Sequence, residues 1–151
     1  KRQLYDPANE PDITYPYLFA QVKGQEWRTD SLVNVLLKKH FKNQPDGIPG
    51  NDDTGTMSAW AVFSMMGLYP DCPGIPRYTL TAPTFDRITL HLDPRYYKHD
   101  TLVIECERPS AEAIYVDHIE VNGKRLKGRF ISHDDLVNAG TLRFVLTEKK
   151  K

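Results

Sequence analysis

The chain has 151 residues, 40% of them hydrophobic and 26% charged, with 20 basic residues against 20 acidic ones. That length fits one domain or two small ones sharing an interface. Zero net charge gives no support for a nucleic-acid or anionic-membrane partner, and no apolar run reaches the roughly 18 residues that a membrane span needs. The chain opens at Lys1 with neither a Met nor an apolar leader, which does not make it cytoplasmic, because a chain cut from a longer polypeptide also starts this way. Cys72 and Cys106 permit one disulfide, with inert free thiols the default expectation.

The first predicted helix is "SLVNVLLKKHF" (31–41), where Leu32, Val33, Leu36, Leu37 and Phe41 share one face and Asn34 and Lys38 fall opposite. Thr29 or Asp30 is the expected cap, and "NQPDG" (43–47) stops the helix. A second helix is predicted over 57–67. Met57, Ala59, Trp60, Ala61, Val62, Phe63, Met65 and Met66 make it apolar nearly all round, so it asks for partners on several sides, more than two helices supply. Residues 69–78, with Pro70, Pro73, Gly74 and Pro76, read as an irregular connector.

Beyond it the period falls to two. Ile88, Leu90 and Leu92 alternate with polar residues, as do Leu142, Phe144 and Leu146, and "TLVIEC" (101–106) reads as a central strand. Residues 113–126 carry a hairpin at Asn122-Gly123, the pair suited to a type I′ turn, with a bulge near Asp117 where the apolar register slips. "SHDDLVNAG" (132–140) reads as one helical turn with Ser132 as cap and Gly140 as stop. The predicted class is α+β: helices over 1–75, then a small antiparallel sheet or sandwich over 76–151.

"GIPGNDDTGTMSAW" (47–60) sets Asp52 beside Asp53 on a glycine-rich loop before the apolar helix. Adjacent carboxylates repel unless a metal, a proton or hydrogen-bond donors compensate. Capping of the helix by Asp53 or Thr54 is the plain reading. An EF-hand is rejected, since counting from Asn51 puts Thr56 and Val62 where glycine and glutamate belong, although Asn51, Asp52 and Asp53 could donate oxygens to a less regular calcium site. The third reading is a general base: a carboxylate at a helix N-terminus is favoured in its ionised form, which suits taking a proton from water. Spacing alone does not choose among these.

The blocks "NEPDITYPYLF" (9–19), "PDGIPGNDDTGTMSAWAVFSMMGLYPDCPGIPRY" (45–78) and "DHIEVNGKRLKGRFISHDDLVNAGTLRFVL" (117–146) resemble the C-terminal end of family 92 glycoside hydrolases. The resemblance implies a calcium-dependent, exo-acting, inverting α-mannosidase, many members being α-1,2-specific. It implies that this chain holds the last helices of an (α/α)6 barrel and the closing β structure, with earlier helices and the general acid upstream. It places the general base at Asp53, with Asp52 as its partner or the fallback, Asn9 and Glu10 facing the sugar or the calcium, and Asn51 on the substrate side. Thr14 stands where many relatives carry histidine. The implied setting is a secreted or periplasmic system degrading mannose-containing glycans such as N-glycans. The chain alone is then expected to be inactive.

Other residues are assigned more plainly. Trp27 packs as a staple before the helix or stacks on a sugar, Trp60 belongs in the core, and Tyr15 and Tyr17 pack or line a cavity. His40, His91, His99, His118 and His133 lack ligand spacing for zinc, Ser58 and Ser64 have no matching base, and the metal ligands stay unassigned. The rival function is a non-catalytic carbohydrate-binding or interaction module.

Overall fold

The computed structural model describes residues 5–150. Two 3-10 segments, Glu10–Asp12 and Tyr15–Gln21, lead into helix α1, Glu26–His40. Neither segment has the periodicity that marks an α-helix or a strand, and neither was predicted. Helix α1 starts five residues before its predicted start, which corrects the expected cap: Thr29 and Asp30 lie inside the helix and are buried. Val33, Leu36 and Leu37 form its buried stripe, and Lys38, Lys39 and His40 in the last turn complement the helix dipole. Helix α2, Thr56–Met66, runs between two left-handed glycines, Gly55 and Gly67. At Gly67 a Cβ would stand 2.7 Å from Pro83 and 2.8 Å from the Thr81 carbonyl, so only glycine fits.

The second half builds two sheets. Strands β1 (Leu68–Tyr69), β2 (Arg77–Leu80) and β7 (Phe130–Ser132) form a three-stranded antiparallel sheet in the order β1-β2-β7. Its first two strands flank the proline-rich connector, so the irregular stretch is shorter than 69–78. Strands β3 (Arg87–His91), β4 (Thr101–Glu107), β5 (Tyr115–Val121), β6 (Lys124–Arg125) and β8 (Thr141–Thr147) form the larger sheet in the order β3-β4-β8-β5-β6. Its central pair, β4 and β8, is parallel, so the sheet is mixed and not wholly antiparallel. The expected bulge is present: Val116 pairs with Leu146 and His118 with Val145, leaving Asp117 over. Asn122 (φ 49°) and Gly123 (φ 73°) make the type I′ corner between β5 and β6. Helix α3 (His133–Val137) is capped by Ser132, whose hydroxyl accepts from the Asp135 amide at 3.0 Å. It ends at Asn138, not at the predicted Gly140.

Two apolar clusters result. The sheets bury Leu80, Leu102, Ile104, Ile119, Leu142 and Phe144, with Leu136 of α3 closing the layer. The helical part buries Tyr17, Val33, Leu36, Met57, Trp60 and Tyr69, and Phe63 packs on both clusters. Asp30 joins the halves through a buried ion pair with Arg129 at 2.8 Å. Apolar side chains also stand open on the helical part: Leu18, Val22, Leu32, Val35 and Val62. Helix α2 is therefore not enclosed on all sides by this chain.

Candidate functional site

The turn entering the acidic loop is closed on itself. Lys42 N–H donates to the Gly47 carbonyl and Gly47 N–H to that of Gln44, both at 2.9 Å. A Cβ on Gly47 would lie 1.8 Å from the Lys42 carbonyl oxygen, so the turn excludes every other residue. Further along, Gly50 (φ 70°) lies against Ala8, close enough that a Cβ would meet that side chain at 2.9 Å. The segment carrying Asn9 and Glu10 thus packs on the loop carrying Asp52 and Asp53.

The two aspartates have different surroundings. Asp52 holds the start of α2: its carbonyl accepts from the amides of Gly55 and Met57, and Oδ1 accepts from the Ser58 amide at 2.8 Å and the Ser58 hydroxyl at 2.7 Å. Those bonds satisfy helix-end amides and compensate the charge. Asp53 sits in the left-handed region (φ 49°), followed by Thr54 (φ 61°) and Gly55 (φ 93°). Such backbone costs a non-glycine residue on the order of 1–3 kcal/mol and gathers at functional sites. The Asp53 carbonyl accepts from the Thr56 hydroxyl at 2.8 Å and its amide donates to Asn51 Oδ1 at 3.4 Å. Its carboxylate accepts no hydrogen bond among the described residues, and the residue is half-buried.

Glu10 reaches the same place, its Oε1 standing 3.3 Å from the Thr56 hydroxyl. Asn51 is exposed, with its side-chain oxygen turned to the Asp53 amide. Asn9 precedes Glu10, exposed, with no side-chain bond to the loop among the described residues. The structure therefore gathers Glu10, Asn51, Asp52 and Asp53, and adds Thr56, named in the sequence only in rejecting an EF-hand, and Ser58, passed over as a plain helix residue. Only a polar residue in the first turn of an otherwise apolar helix signalled them. Two buried bonds hold this arrangement from beneath: Trp60 Nε1 donates to the Ile13 carbonyl at 2.9 Å, and the Tyr17 hydroxyl lies 2.6 Å from Ser64 Oγ. Trp60 is core, stacked on Phe41 at 5.3 Å.

The remaining candidates lie elsewhere. Trp27 is in the first turn of α1, not before the helix. It packs edge-on to Tyr115 of β5 and carries Arg28 and Lys150 over its ring. Tyr15 is half-exposed beside an apolar groove with Phe19, Leu32 and Leu36. Cys72 and Cys106 are both free thiols. Among the described residues, no three His, Cys, Asp or Glu side chains gather as a metal-holding group.

The described helices include none long and apolar enough to cross a membrane. An uncharacterized secreted glycosidase of Arthroderma benhamiae is 29% identical over 95% of this chain and 18% of its own length. The family GH92 alpha-mannosidase BT3965 of Bacteroides thetaiotaomicron superposes with a TM-score of 0.85 at 29% identity, over 96% of this chain and 19% of that one. The family GH92 inverting mannosidase BT2199 of the same organism gives 0.80 at 31% identity, over 94% of this chain and 19% of that one. The chain thus spans about a fifth of the length of these relatives. With the glycosyl hydrolase family 92 catalytic domain matched over residues 1–148, and the acidic loop inside that match, the chain belongs to glycosyl hydrolase family 92, as a C-terminal part of it.

Proposed function

We propose that this chain is the general-base wall of an α-mannosidase whose remaining active-site residues lie in a longer polypeptide. One observation carries the reading: of two neighbouring aspartates, Asp52 is tied to the helix end through Oδ1, whereas the Asp53 carboxylate has no donor among the described residues. In the proposed reaction Asp53 takes a proton from water as the water oxygen attacks the anomeric carbon. The glycosidic C–O bond breaks, and the leaving oxygen takes a proton from an acid outside this chain. Attack from the face opposite the leaving group inverts the anomeric configuration. Asp52 and Ser58 fix the loop, while Glu10, Asn51 and Asn9 line the sugar side. A general base supplies about 10² to 10⁴ in rate, and a base without its acid leaves the isolated chain inactive.

The neighbours' names support a mannose-containing glycan as substrate, one neighbour structure being a complex with mannoimidazole. An α-1,2 linkage is our reading from the family resemblance. Calcium is proposed for the complete enzyme only: the described residues do not assemble a site for it, and no step above passes through it. A secreted or periplasmic location is our reading, and the name of the relative, a secreted glycosidase, supports secretion.

The test is Asp53→Ala in the full-length enzyme, with and without azide. The variant is expected to lose hydrolysis and to regain turnover in azide, an anion that attacks without needing a base, giving β-mannosyl azide. Hydrolysis at the unsubstituted rate refutes the assignment.

A further inference from the structure

Helix α2 meets the segment before α1 through a row of hydrogen bonds, one on each turn. Thr56, Trp60 and Ser64 share a face of the helix, because a spacing of four returns to nearly the same side. Thr56 Oγ1 stands 3.3 Å from Glu10 Oε1, Trp60 Nε1 donates to the Ile13 carbonyl at 2.9 Å, and Ser64 Oγ lies 2.6 Å from the Tyr17 hydroxyl. The lower two bonds are buried and fix the height of the segment against the helix. The uppermost opens onto the acidic loop, so the Glu10 contact is one step of a seam whose register the two below it set.

Thr56 also holds that loop. Its hydroxyl donates to the Asp53 carbonyl at 2.8 Å, and its amide donates to the same oxygen at 3.2 Å. The hydroxyl has one proton for two acceptors, and the Asp53 carbonyl is the closer of them. Asp53 (φ 49°) and Thr54 (φ 61°) are in left-handed backbone, which persists only where the surroundings hold it. The Asp53 amide donates to Asn51 Oδ1 at a long 3.4 Å, so the carbonyl is the firmer anchor. Holding that carbonyl orients the Asp53 Cα, and with it the direction in which the carboxylate leaves the chain. A β-branched threonine has few rotamers, which keeps the hydroxyl on this oxygen.

We infer that Thr56 is a positioning residue: one hydroxyl aims the Asp53 carboxylate at the attacking water and sets Glu10 beside it. This rests on Asp53 being the base. The test compares Thr56→Val, which keeps the branched shape without the hydroxyl, with Thr56→Ser, which keeps the hydroxyl. Both are made in the full-length enzyme and assayed on an α-mannoside well below each thermal midpoint. Thr56→Val is expected to lower kcat about tenfold, the scale of one hydrogen bond, while Thr56→Ser retains most of it. In the Asp53→Ala enzyme supplied with azide, where there is no base to aim, Thr56→Val is expected to cost far less turnover. Three results overturn the inference: an unaltered kcat in Thr56→Val, a fall in Thr56→Ser as large as that in Thr56→Val, or the same factor lost in both backgrounds. The last would mean that Thr56 only supports the fold. An Asp53→Ala enzyme that hydrolyses at the unsubstituted rate removes the base itself. An unaltered Thr56→Val, in an enzyme that Asp53→Ala disables, removes the positioning role alone.

Discussion

Arg129→Met isolates the bond that joins the two halves of the chain. The Asp30 carboxylate is fully buried and accepts four donors: Arg129 Nη1 at 3.0 Å, Arg129 Nη2 at 2.8 Å, Thr81 Oγ1 at 2.9 Å and the Val116 amide at 3.0 Å. Methionine keeps most of the volume of the arginine stem but removes the positive charge and two of those donors. A buried carboxylate left without its counter-charge costs about 3–5 kcal/mol. At roughly 2–4 °C per kcal/mol for a chain of this size, the melting midpoint falls by about 6–20 °C. Asp30→Asn with Arg129→Met costs less than the sum of the single changes, because no charge then remains unpaired. Burial pushes the Asp30 carboxyl up, while Arg129 pulls it back. With Arg129 gone the folded pKa rises further above the unfolded one, so stability from this group is greatest when it is protonated and is lost as pH rises through the folded pKa. The variant's deficit therefore shrinks on acidification. Urea unfolding of the four chains at neutral and mildly acidic pH reads all of this. A single-variant cost below about 1 kcal/mol, or additive effects, refutes the reasoning.

Two further outcomes follow from the buried groups. Burial raises the phenol of Tyr5 from 10.0 to about 12 and pushes that of Tyr17 higher still. Folded pKa values above the unfolded value mean stability that is present below pH 10.0 and is lost as pH rises through about 12. The urea midpoint is expected to drop over that interval, and a flat profile contradicts the burial of these rings. Burial likewise raises the Cys106 thiol, whereas Cys72 is only half-buried. A disulfide reagent in excess is expected to modify Cys72 in the folded chain and Cys106 only with unfolding, and equal native rates would be the contrary result.

What could be read in advance was local. The alternation of Leu142, Phe144 and Leu146 gave a strand with one buried face, and all three are core. The Asn122-Gly123 corner and the slip at Asp117 followed from turn chemistry and from the two-residue period. Asp30 was misread because an acid near a helix start resembles a cap, and only the distant Arg129 reveals its role. The parallel pairing of β4 with β8 is a choice of neighbour between strands far apart in sequence, which no local period encodes. At the site, glycines marked the loop and the family resemblance pointed to Asp53. The division of labour between the two aspartates depends on positive φ angles at Asp53 and Thr54, which residue identity does not announce.

The most direct measurement is kcat of Asp53→Asn beside Asp52→Asn in the full-length enzyme, with substrate affinity followed in parallel. If Asp53 activates the water, its variant loses at least about a hundredfold in kcat with substrate still bound. Asp52→Asn, which keeps an oxygen for the Ser58 bonds, then loses much less and mainly lowers stability. The opposite ranking, or a fully active Asp53→Asn enzyme, contradicts the assignment of the base.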